Sequence, residues 1–67
     1  MMFELTVTKV GTDKSVTVKA THKAMLIDHL HASAARHGLE VKHIRDDLQG
    51  DILKDGQTVA EWAVTVE

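Results

Sequence analysis

Between Phe3 and Ala20 the chain alternates apolar and polar side chains twice, with one interruption. Phe3, Leu5 and Val7 fall on one face, and Glu4, Thr6 and Thr8 on the other. After Gly11-Thr12-Asp13-Lys14, the pattern resumes with Val16, Val18 and Ala20 set against Thr17 and Lys19. A period of two belongs to a half-buried strand, and the interruption has the composition of a turn. The segment therefore predicts an N-terminal β-hairpin.

The period then changes. Thr21 is placed to cap a helix, and the following residues up to His37 include neither Pro nor Gly. At helical spacing Ala24, Ile27, Leu30, His31, Ala34 and Ala35 share a face, and His22, His29, Ser33, Arg36 and His37 lie largely opposite. This predicts an amphipathic helix of about four turns. Gly38 and Leu39 supply the left-handed residue and the apolar contact of a Schellman ending.

The second half predicts a third strand over 39–45, irregular near His43. An acidic, turn-rich segment follows, with Leu48, Ile52 and Leu53 tucked onto the sheet edge and a short extra strand at 51–54. Asp55-Gly56 is a turn signal. The terminal TVAEWAVTVE reads as one long strand with Ala60, Trp62, Val64 and Val66 on a common face, Trp62 buried. All four glycines, 11, 38, 50 and 56, are placed at turns or caps. The expected fold is α+β, ββαββ, a single domain over 1–67 with the helix on one face of a small, mostly antiparallel sheet.

The segments FELTVTKVGTDKSVTV, then Ile27 and Leu30, then LKDGQTVAEW resemble the ubiquitin-like β-grasp. That family opens with a hairpin, crosses over through one helix and carries a D-G-x-T-[LV] turn. The resemblance implies a binding module. In the family this turn leads into a short turn or helix and then a last strand, for which little chain remains here. The ending Val66-Glu67, in place of Gly-Gly, does not look like that of a conjugated modifier or sulfur carrier.

Chemistry is constrained by what the sequence holds. With 67 residues the core is small, and without Cys there is neither a disulfide nor a thiolate nucleophile or ligand. Five His are present, but His22, His29 and His37 are about 10–12 Å apart along a helix. Metal ligands must converge at ~2 Å, so no metal site, cofactor or catalytic residue is expected. His31 lies within the apolar arc, where burial would favour the neutral ring and make the domain acid-sensitive. Asp46, Asp47, Asp51 and Asp55 form an acidic patch without the spacing of a calcium loop. Met25 and Leu26 fall off the predicted stripe and become exposed apolar contacts.

These features predict a small, non-catalytic protein-interaction module that binds a protein partner or itself through an open sheet edge. Met25, Leu26 and the four aspartates are the candidate surface. A nucleic-acid-associated regulator and an accessory subunit of an enzyme are the alternatives. A net charge of −2 disfavours nucleic acid, and the absence of a leader or a long apolar run predicts a cytoplasmic chain with no membrane contact.

Overall fold

The computed structural model describes residues 1–46 and 48–66. Its elements are β1 (Phe3–Lys9), β2 (Ser15–Ala20), α1 (Lys23–Arg36), β3 (Glu40–Arg45), β4 (Gln49–Lys54) and β5 (Gln57–Val66). The five strands form one antiparallel sheet in the order β2-β1-β5-β4-β3, with α1 on one face. The order is thus ββαβββ, one strand more than ββαββ. The extra strand, expected as a short one over 51–54, spans 49–54 and lies between β3 and β5, so the segment expected to cover an edge is interior. Its alternation is hard to read because Gly50 has no side chain to mark the inner face.

The β-grasp resemblance reaches the hairpin and the helix that follows it. The DGQTV segment opens directly into the ten-residue β5 rather than into a short turn or helix. Asp55 and Gly56 both have positive φ, 53° and 83°, as a two-residue type I′ hairpin requires. The irregularity near His43 is a bulge, because His43 opposes Gly50 and Arg45 opposes Gln49, leaving Ile44 as the additional residue.

The helix ends as expected. Leu39 donates to the Ala34 carbonyl at 2.8 Å and Gly38, with φ 69°, donates to Ala35 at 3.2 Å, completing a Schellman motif. The N-cap is His22 rather than Thr21, with no side-chain cap bond. The buried stripe is also rotated from the expected one. Leu26, Leu30 and Ala34, spaced i, i+4, i+8, face the sheet, whereas Ala24, His31 and Ala35 are exposed. An arc centred on the many alanines misplaced the stripe, since the larger leucines fill the space over the sheet.

The core joins Leu26 and Leu30 to Leu5, Ile52, Ala60, Trp62 and Val64. Trp62 is buried as expected, at 2% exposure, whereas Val66, in the last row opposite Phe3, is exposed. Leu48 is exposed in the β3–β4 turn.

Candidate functional site

The helix leaves one corner of the sheet uncovered. Val7, Val16 and Val18 share the helix-facing side of the hairpin, but Val16 remains 65% exposed. Between these residues and the second half of α1 lies a cleft of about 540 Å³, closed on the helix side by His29, Leu30, Ser33 and His37. Lys9 and Lys14 stand at its hairpin end, and the lining includes no acidic residue among the described ones. Apolar surface of this kind on an edge strand offers hydrophobic contact and unpaired backbone groups together.

The opposite edge is built differently. His43 on β3, Gly50 on β4 and Trp62 on β5 occupy one cross-strand row. A Cβ at Gly50 would collide with the Lys42 carbonyl oxygen and the Trp62 indole, so only glycine admits the indole here. The rings of His43 and Trp62 meet edge to face, 5.0 Å apart at 75°. His43 Nδ1 lies 2.7 Å from the Asp46 carbonyl oxygen, to which it must donate, leaving Nε2 as an acceptor. His31 Nε2 lies 3.0 Å from that atom and is the donor.

The two imidazole centroids are 5.2 Å apart and the planes differ by 16°. This separation exceeds the nitrogen–nitrogen distance by about a ring's width, so the rings meet head-on in nearly one plane rather than face to face. The arrangement is an N–H···N hydrogen bond joining helix to strand. The nitrogens point at each other instead of converging on a common ligand position.

The model for the Mycobacterium phage Gp84-like protein family matches residues 2–67. The chain belongs to that family. It is 41% identical over 64 residues to the Gene 84 protein of Mycobacterium phage D29, covering 96% of this chain and 97% of the relative. The Gene 84 protein of Mycobacterium phage L5 is 36% identical over 64 residues, with the same coverage of both chains. No solved structure matches. The family match runs through all five strands and the helix.

Within this Gp84-like domain the predicted surface residues separate. Met25 is exposed, at 59%, but Leu26 is buried at 1% and leaves the candidate surface. His31 is exposed and bonded to His43, so the burial expected to favour its neutral ring is absent. The aspartates do not form one patch. Asp46 lies in the turn before β4 and Asp55 in the turn after it, so a six-residue strand, about 20 Å, stands between them. Asp51 is half-buried within β4, and Asp47 lies outside the described residues. Sequence reasoning missed Val16, because strand alternation marks it as inward without showing that the helix stops short of it. No helix among the described residues is long and apolar enough to cross a membrane.

Proposed function

We propose that this protein is a small, non-catalytic protein-binding module whose contact surface is the β2 edge and the cleft beside it. The observation that carries this reading is the exposure of Val16 on an edge strand, over an apolar cleft in a domain with a small core. Exposed apolar surface costs solubility, and a bound strand or apolar side chain would remove that cost. Met25 extends the surface. It stands one helical turn before His29, which lines the cleft, and so lies on the same side of α1.

The test is a photo-crosslinking side chain placed at position 16 in the native cell, with position 44 on the opposite edge as control. Discrete cross-linked products from position 16 and not from position 44 are expected. Equal or absent cross-linking at the two positions would count against the β2 surface.

A further inference from the structure

We propose that the occupant of this surface is an extended segment of a partner protein that carries apolar side chains next to carboxylates, the apolar side chains lying in the cleft and the carboxylates between Lys9 and Lys14. This rests on the reading of the β2 edge and its cleft as a protein contact. The backbone brings the two lysines together. The Lys9 amide donates to the Lys14 carbonyl at 3.0 Å, one step beyond Thr8 opposite Ser15. Alternation along both strands then puts both side chains on the helix-facing side, in line with Val7 and Val16. Like charges directly opposite in an antiparallel pair are destabilising. Among the described residues neither ammonium has a carboxylate within ion-pair reach, and Asp13, in the turn between them, does not line the cleft. An anion placed between the two ammonium groups would remove that repulsion.

The rest of the cleft narrows what carries the anion. Its walls are apolar, with Leu5, Val7, Val18, Leu30 and Ile52 beside the exposed Val16. His29 and His37 on the helix side add no negative charge. The positive sign is local, since the chain as a whole carries −2 with neutral His. A nucleic-acid strand would find two lysines but no Phe, Tyr or Trp among the lining residues on which to stack a base. A segment both acidic and apolar matches the two halves of the cleft. Beside Val16 it also meets the outward backbone groups of Ser15 and Thr17, because bonded and non-bonded pairs alternate along the ladder from the Lys9–Lys14 bond.

A random-peptide display library panned on the intact chain tests this. Enriched peptides should carry Asp or Glu next to Val, Ile or Leu, and their binding should weaken as salt rises. Measured by titration calorimetry, the affinity of a synthetic enriched peptide should fall about tenfold in the double variant Lys9→Glu, Lys14→Glu, and about fivefold in Val16→Ser. All three positions are exposed, and Trp62 emission checks that each variant is folded. Panned on the charge-reversed chain, the same library should yield basic peptides instead. No enrichment, enrichment without acidic residues, or folded variants that bind as the unmodified chain does would overturn the acidic partner. Decanoate or an oligodeoxythymidine binding the chain more tightly than the peptide would overturn it too. If position 16 then still cross-links to a different protein in the cell, the binding-module reading survives; if it links to nothing, both fall.

Discussion

Gly50 carries no side chain, and the Trp62 indole occupies the space above it. The residue was expected at a turn because glycine is common there, yet it lies buried inside β4. Close approach, rather than an unusual φ, makes glycine necessary at this site. Gly50→Ala should destabilise the domain by about 1–3 kcal/mol or more, since the added carbon meets backbone as well as the indole. Urea unfolding monitored by Trp62 emission measures this, and an unchanged midpoint would show that β4 and β5 do not approach as described. The indole N–H has no acceptor among the described residues, which costs about 1–3 kcal/mol where the group is buried. His43 shields that ring and receives the His31 bond. His43→Ala should therefore cost more than His31→Ala and should shift Trp62 emission to longer wavelength. A double-mutant cycle should return a His31–His43 coupling of about 0.5–1.5 kcal/mol, and additivity of the two changes would deny the bond.

At the scale of elements, the hairpin, the helix and its Schellman end, the Asp55-Gly56 turn and the long last strand were legible from local pattern alone. Each depends on residues close in sequence. What was not legible depends on residues far apart. The helix stripe was misplaced by about one residue because alanine, abundant here, packs on either flank of a helix. The choice between Leu26 and His31 is made by the sheet beneath. Likewise β4 was read as an edge segment because its place between β3 and β5 is a matter of strand order, which alternation does not encode. Leu26→Ala should cost about 2–5 kcal/mol of stability, and Met25→Ala, its exposed neighbour, well under 1 kcal/mol. Chemical denaturation of the two variants decides between the observed stripe and the expected one. Equal losses would restore the latter.

At the scale of the whole molecule, the helix shields one side of a five-stranded sheet incompletely, and the two sheet edges differ in kind. The β3 edge also exposes an apolar side chain, Ile44, but it is bulged there and carries charges, in the manner of strands protected against pairing. The β2 edge is regular, with Val16 exposed and an apolar cleft alongside. This asymmetry is the basis for proposing β2 as the contact edge, where a partner would find backbone pairing as well as apolar contact. Photo-crosslinking in the native cell from positions 15, 16 and 17 on β2 and 42 and 44 on β3 tests it most directly. The β2 positions should give discrete products and the β3 positions none. Products from β3 instead, or equal yields from the two edges, would contradict the proposal of β2 as the contact edge.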